Sequence, residues 1–93
     1  MYKSVKEIKE ITEAYFNTDF SIKSSLREYV YPKSILCFVL RQKTNLSTRK
    51  ISNLIGYKSN QVILYHEATI QANKLINKQI RKDLEGLEKM LAL

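Results

Sequence analysis

Basic side chains are concentrated in the middle of this 93-residue sequence. Between positions 23 and 66 the chain has eight lysines and arginines but one acidic residue, Glu28, which gives this segment a formal charge of +7. The eight cations are Lys23, Arg27, Lys33, Arg41, Lys43, Arg49, Lys50 and Lys58. The rest of the chain holds eight basic and eight acidic residues. A basic central segment in an otherwise neutral chain favours a surface that binds a polyanion. The competing interpretation is a basic face that only aids solubility.

Residues suited to catalysis or metal binding are scarce. The chain has one cysteine, Cys37, and one histidine, His66, and neither has partners at the spacing of a zinc site or a catalytic triad. Glu7, Glu10 and Glu13 recur at the spacing of a solvated helix face, and no Gly-x-x-x-x-Gly-Lys-Ser/Thr phosphate loop occurs. We therefore expect no catalysis, no metal, no cofactor and no bound nucleotide.

The composition predicts a single, small, all-α domain over residues 1–93. Hydrophobic residues make up 44% of the chain and charged residues 27%, which is the balance of a globular protein. Two glycines and one proline are too few for the many tight turns of an all-β fold. The longest apolar run, residues 35–40, is too short to cross a membrane, and the N-terminus leads into charged residues without a signal segment. We expect a cytoplasmic protein in which Cys37 is reduced and buried.

The spacing of apolar residues predicts helices over 4–16, 32–44, 47–55, 59–73 and 74–92. Ser4 and Glu7 have the spacing of a capping box at the first helix. Pro32 suits the first position of the central helix, because the N–H that proline lacks has no intrahelical partner there. This assignment leaves Arg27 in the loop that precedes the central helix.

The third and fourth predicted helices have the pattern of a helix-turn-helix. Ser47 is a suitable N-cap for the third, and Gly56 can end it because glycine adopts positive φ. Ser59 or Asn60 can cap the fourth, so that about four residues join the two helices. The second helix of such a unit places its N-terminal residues against base edges in the major groove of DNA.

The C-terminal segment allows two arrangements. An unbroken helix over 59–92 is roughly 50 Å long at about 1.5 Å per residue, which is more than so small a core can cover. The segment therefore either breaks near Asn73 or Asn77 and packs back on the first helix, or pairs with a partner chain. The residues of such a homodimer seam are Ile76, Ile80, Leu84, Leu87 and Leu91.

Several short stretches match a known family of proteins. They are Pro32-Lys33-Ser34-Ile35, Leu40-Arg41, Thr44-Asn45-Leu46-Ser47, Ile51, Leu54-Ile55-Gly56 and Ile63-Leu64, preceded by Ala14-Tyr15-Phe16 and Ser25-Leu26-Arg27-Glu28. In these residues the chain resembles the C-terminal DNA-binding domain of the bacterial replication initiator DnaA, a Trp-repressor-like helix-turn-helix fold. The resemblance implies a stand-alone version of that domain without the ATPase.

The family's turn ends in Gly-Gly-Arg-Asp-His-Thr-Thr-Val, where this chain has Gly56-Tyr57-Lys58-Ser59-Asn60-Gln61-Val62-Ile63. The resemblance implies that bases are read by Ser59, Asn60, Gln61 and Val62, with Tyr65 reading bases or the adjacent backbone. Because these residues differ from the family's, we expect a target other than its usual origin box. Asparagine and glutamine amides can each pair bidentately with adenine, and valine can contact a thymine methyl.

The resemblance also implies contacts with the DNA backbone. Arg27 matches an arginine that the family inserts into the minor groove, and Lys33 and Ser34 match contacts at the start of the central helix. The remaining backbone candidates are Arg41, Thr48, Arg49, Lys50 and Lys58.

We expect a non-catalytic protein that binds double-stranded DNA sequence-specifically, as a small regulator of transcription or replication. It would be cytoplasmic and nucleoid-associated when bound, and of a kind encoded by phages or other mobile elements. The alternative is a protein-interaction module that has lost DNA binding and modulates or mimics a replication or transcription protein, with the apolar ridge from Ile76 to Leu91 as its contact surface.

Overall fold

Five α-helices make up the structure, a computed structural model that describes residues 4–20, 26–57 and 59–92. The helices are α1 (Val5–Phe16), α2 (Arg27–Lys43), α3 (Thr48–Ile55), α4 (Asn60–Asn73) and α5 (Lys78–Ala92). They account for 79% of the described residues, among which there is no β-strand. The predicted all-α class is confirmed.

The ends of α1 follow from its sequence. The Ser4 hydroxyl accepts a hydrogen bond from the Glu7 backbone N–H at 3.2 Å, and the Glu7 carboxylate accepts one from the Ser4 N–H at 3.5 Å. This reciprocal pair satisfies two N–H groups that the first turn leaves without intrahelical partners. The helix ends at Asn17, which adopts a left-handed conformation with φ of 51°. The predicted capping box is confirmed.

The central helix α2 begins five residues before the predicted start. Arg27 is its first residue, and Pro32 lies inside it rather than at its N-terminus. The first turn is already helical, since the N–H groups of Tyr29 and Val30 both donate to the Leu26 carbonyl at 3.0 Å. An internal proline removes one helical hydrogen bond, but tertiary contacts can compensate. Here the ring of Tyr31 packs edge-on against Phe16 of α1, with the ring centroids 5.8 Å apart.

The core surrounds the middle of α2. This helix packs against α1 on one side and α4 on the other, while α3 packs on α4 and α5 on α1. Nine consecutive residues of α2, from Pro32 to Leu40, are buried, as its apolar sequence predicts for a central helix. Cys37 is among them and is fully buried as a free thiol, which confirms its predicted packing role.

The helical segment is interrupted between α4 and α5, at residues 74–77. The Asn77 backbone N–H donates to the Asn73 carbonyl at 2.8 Å, and the Asn77 side-chain oxygen accepts from the Ile80 N–H at 3.1 Å. Asn77 thus acts as the cap from which α5 starts in a new direction. Of the two predicted arrangements, the structure has the break, with α5 packed on α1.

The predicted homodimer seam is mostly occupied within the chain. Ile80 and Leu87 are buried in the core, Leu84 and Leu91 pack against it, and Ile76 is exposed. Burying α5 on the rest of the chain uses the apolar face that a partner helix would need. The expectation of a free ridge from Ile76 to Leu91 is therefore wrong, and with it the contact surface assigned to a protein-interaction module.

A buried carboxylate joins α5 to α1 and α2. Asp83 is 5% exposed and accepts hydrogen bonds from the hydroxyls of Tyr15 at 3.1 Å and Tyr31 at 2.6 Å. The Gln79 amide nitrogen also lies 3.0 Å from both of its carboxylate oxygens. Gly86 permits this arrangement, since a Cβ atom there would lie 2.8 Å from the Tyr15 hydroxyl.

Candidate nucleic-acid interface

Helices α3 and α4 are joined by the short segment 56–59. The Ser47 hydroxyl accepts from the Lys50 N–H at 3.2 Å and caps α3, which ends at Gly56 with a positive φ of 94°. The Ser59 hydroxyl accepts from the Gln61 N–H at 3.2 Å and caps α4. The predicted caps and the glycine end are confirmed. The two helices pack on each other and present the start of α4 at the surface.

The turn between these helices is anchored through Tyr57. Its hydroxyl lies 3.2 Å from His66 Nε2 on α4, and the Lys33 ammonium lies 5.8 Å from the centre of its ring. Burial raises the pKa of Tyr57 to about 12, so its hydroxyl is neutral at physiological pH. Burial lowers the pKa of His66 below its ordinary value, which favours the neutral imidazole. Tyr57 thus packs within the turn and holds it against α4.

One face of α4 is exposed along its whole length and carries no charge. We call it the α4 stripe, and its members are Asn60, Gln61, Leu64, Tyr65, Ala68, Gln71 and Ala72. These positions recur with helical spacing, opposite the buried Ile63, His66 and Ile70. Tyr65 is 68% exposed and Leu64 is 49% exposed. The stripe begins with two amide side chains and continues with small and apolar ones, a combination that can meet base edges without opposing a phosphate.

A shallow polar concavity lies where α3 meets the start of α4. Its volume is about 430 Å³, and its lining residues are Arg49, Ser52, Asn53, Ser59, Asn60 and Gln61. Arg49 and the neighbouring Lys50 are exposed. The only acidic residue between positions 44 and 77 is Glu67, which is bound to Arg41. The surface around the concavity therefore combines exposed positive charge with neutral hydrogen-bonding groups.

The predicted base-reading residues largely share this surface. Ser59, Asn60 and Gln61 are exposed at the start of α4, and Tyr65 lies one turn further along the α4 stripe. Val62 is half-buried and lies outside the stripe.

The predicted backbone contacts are more scattered. Arg49 and Lys50 lie on α3 beside the concavity, together with the half-buried Thr48. Lys58 lies outside the described residues. Arg27 is exposed at the start of α2, 5.4 Å from the centre of the Tyr31 ring, in a groove formed by α1, α2 and α5. The structure thus places Arg27 on a helix and not in the predicted loop.

Two predicted backbone contacts, Lys33 and Ser34, require correction, and a third, Arg41, is held in an ion pair. Lys33 and Ser34 are only 5% and 7% exposed, because α2 starts earlier than predicted and its middle is enclosed by the other helices. The Ser34 hydroxyl donates to the Tyr31 carbonyl at 2.6 Å. The Arg41 Nε lies 3.1 Å from a carboxylate oxygen of Glu67, so this cation joins α2 to α4.

The described residues give little support for metal or thiol chemistry. No group of three histidine, cysteine or acidic side chains in the described parts of the chain is arranged to hold a metal ion. Burial raises the pKa of the Cys37 thiol to about 12, which keeps it from forming a thiolate. No helix in the same residues is both long and apolar enough to span a membrane.

Two residues of the interface escaped sequence reasoning. Ser52 is 3% exposed and contacts the Asn60 side chain, and nothing in its local sequence distinguishes it from other serines. Leu64 lies one helical turn after Asn60, and that spacing was a usable signal for its place on the exposed face.

The fold and this surface define a small all-helical domain with an uncharged helix face set among cations. No protein-family model matches the chain. The chain is similar to the chromosomal replication initiator protein DnaA of Bacteroides fragilis (strain YCH46), with 28% identity over 91 residues. The match covers 95% of this chain and 19% of that relative, in the relative's C-terminal region. The chain thus spans about a fifth of the relative's length, and its small helical structure fits a domain like that C-terminal region.

Proposed function

We propose that this domain binds double-stranded DNA through a helix-turn-helix formed by α3 and α4, without catalysis. The observation that carries the proposal is the α4 stripe, an exposed and uncharged helix face that starts with Asn60 and Gln61 beside the cations Arg49 and Lys50. A helix face that contacts only solvent would be expected to carry charges of both signs.

The dimensions of α4 suit the major groove. An α-helix with its side chains is about 10–12 Å across, and the major groove of B-DNA is about 12 Å wide. With the start of α4 in the groove, α3 lies across the DNA backbone, as the first helix of such a unit does. Arg49 and Lys50 of α3 then bind phosphates, and Thr48 contributes its hydroxyl.

Sequence reading is assigned to the exposed start of α4. Asn60 and Gln61 offer amide groups to base edges, and Tyr65 contacts bases or the adjacent backbone from the next turn. Leu64 supplies an apolar contact of the kind that a thymine methyl accepts. Because Ser59, Asn60 and Gln61 differ from the family's turn signature, the preferred site differs from the origin box that the DnaA family recognises.

Similarity to a replication initiator supports a proposal for the process in which the domain acts. We assign the domain to the control of replication or transcription at a specific DNA site. We propose that the domain binds as a monomer, since the apolar face of α5 is buried within the chain. One short asymmetric site is the expected target.

A titration with a fluorescent mixed-sequence duplex, followed by anisotropy at about 50 and 200 mM salt, tests the function. We expect a Kd of about 10⁻⁶–10⁻⁴ M that weakens steeply as salt is raised, because bound cations are released from the phosphates. Poly-glutamate of matched charge serves as a polyanion without grooves and should compete only weakly. Absence of duplex binding at the lower salt concentration would contradict the proposal.

A further inference from the structure

The buried Ser52 of α3 contacts the first residue of α4. Its hydroxyl oxygen lies 2.8 Å from the Arg49 carbonyl oxygen and 3.2 Å from the side-chain Oδ1 of Asn60. Ser52 is 3% exposed, whereas Asn60 is exposed at the edge of the concavity. A buried side chain with a fixed backbone partner thus supports an exposed amide.

The chemistry of this contact holds the amide in place. A hydroxyl has one proton to donate and two lone pairs to accept, so Ser52 can donate to Oδ1 of Asn60 or, with the amide turned by 180°, accept from its Nδ2. Donation to the Arg49 carbonyl is compatible with the second arrangement. In both arrangements the remaining edge of the amide presents one acceptor and one donor side by side.

That edge is complementary to adenine. Adenine presents its N7 acceptor beside its N6 amino donor in the major groove, whereas guanine presents two acceptors there. An amide whose orientation is fixed before binding loses less conformational freedom when it pairs with the base. The neighbouring Gln61 lacks such support, because its side chain has no hydrogen-bond partner among the described residues.

We propose that Ser52 is a positioning residue that presents the Asn60 amide for bidentate recognition of one adenine in the DNA site. The proposal rests on the DNA-binding function proposed above. It assigns a specificity role to a side chain that does not itself reach the DNA, and it ranks Asn60 above Gln61 in discrimination between bases.

The test is a double-mutant cycle on base preference. Wild type, Ser52→Ala, Asn60→Ala and the double variant are each used to select sites from a pool of randomised duplexes. Each is also titrated against a mixed-sequence duplex, and thermal unfolding verifies that each variant is folded.

We expect Asn60→Ala to abolish the preference for adenine at one position and Ser52→Ala to reduce it about tenfold. In the Asn60→Ala background, Ser52→Ala should have no further effect. Affinity for the mixed-sequence duplex should change less than twofold in Ser52→Ala, because Ser52 does not itself reach the DNA.

The outcomes distinguish the role of Ser52 from the proposed DNA-binding function. Full adenine preference in a folded Ser52→Ala variant, or an equal loss with and without Asn60, would overturn the role of Ser52 and leave DNA binding intact. Failure of the wild type to bind the mixed-sequence duplex at low salt would instead overturn the proposed function. Gln42→Ala is the matched control, because it removes an exposed amide from α2 and should leave the adenine position unchanged.

Discussion

The hydroxyl of Tyr57 lies 3.2 Å from Nε2 of His66, which joins the turn after α3 to the middle of α4. The rings of the two residues are 5.6 Å apart, so they also pack on each other. Because Tyr57 follows Gly56 directly, this contact fixes how α4 leaves the turn. The orientation of the α4 stripe relative to Arg49 therefore depends on the contact between Tyr57 and a histidine whose burial favours the neutral imidazole.

This dependence predicts a loss of stability in mild acid. Burial lowers the pKa of His66 in the folded state below 6.5, so the unfolded chain takes up a proton that the folded protein resists. The stabilisation is complete above pH 6.5 and is lost as the pH falls from there towards the folded pKa. The free energy of unfolding should decline by up to about 1.4 kcal/mol per pH unit in that window.

Urea unfolding at a series of pH values measures this slope. The control is His66→Gln, whose amide can still form a hydrogen bond with the Tyr57 hydroxyl but does not titrate. The difference between wild type and variant isolates His66 from the carboxylates that also titrate in acid. Identical slopes in both proteins would show that the histidine does not carry the effect.

Arg49 should contribute to affinity for every DNA sequence alike. Arg49→Ala removes one phosphate contact, so the plot of log Kd against log salt should flatten by about one unit. Lys6→Ala is the matched control, since it removes one exposed cation from α1 on another part of the surface. Anisotropy titrations with mixed-sequence duplex over a range of salt measure both slopes. An equal change in the two variants would mean that net charge alone, and not the α3 surface, determines binding.

The ion pair between Arg41 and Glu67 predicts opposite effects on stability and binding. Its side chains are 31% and 26% exposed, so Glu67→Gln should cost at most about 1 kcal/mol of stability. The same change removes the only acidic residue between positions 44 and 77 and releases Arg41, so affinity for mixed-sequence duplex should rise. Glu10→Gln on α1 makes the same change of charge and should raise affinity less. Weaker DNA binding by a folded Glu67→Gln variant would contradict this view of the surface.

Much of the fold was predictable because local signals were strong. Ser4 with Glu7, Ser47, Gly56 and Ser59 act through the adjacent backbone, so sequence spacing was sufficient to locate the ends of three helices. The predicted start of α2 was wrong because Pro32 resembles a local start signal. The residues before Pro32 are stabilised by tertiary contacts, such as that of Tyr31 with Phe16 of α1. Tertiary packing of this kind leaves no mark in the nearby sequence.

The site was predicted less evenly. Ser59, Asn60, Gln61, Arg49 and Lys50 lie where the helical pattern places them, because exposure along a helix follows its period. Lys33 and Ser34 were misplaced because long-range packing around α2 decides their burial. The burial of Asp83 also depends on long-range packing, although its position three residues after Ile80 and four before Leu87 indicates an inward-facing carboxylate.

Asp83 should be essential for the packing of α5. Asp83→Asn replaces one acceptor oxygen by a donor that faces the Tyr15 and Tyr31 hydroxyls and the Gln79 amide. Asp83 is buried, and leaving a buried group without its partners costs about 1–3 kcal/mol, so a loss of roughly 2 kcal/mol in unfolding free energy is expected. Glu85→Gln changes an exposed carboxylate on the same helix and should stay within about 0.5 kcal/mol of wild type. Chemical denaturation of both variants gives the comparison, and equal stabilities would rule out the proposed role of Asp83.

Amide chemical-shift mapping tests most directly whether α3 and the start of α4 form the surface that meets the DNA. A ¹⁵N-labelled sample of the chain is titrated with a short duplex at low salt, and the shift change of each backbone amide is recorded. We predict that the largest changes lie at Thr48–Lys50 in α3 and at Ser59–Tyr65 around the start of α4, with α1 and the outer face of α5 little affected. Shift changes centred on α1 and α5, or none anywhere at saturating duplex, would contradict the account.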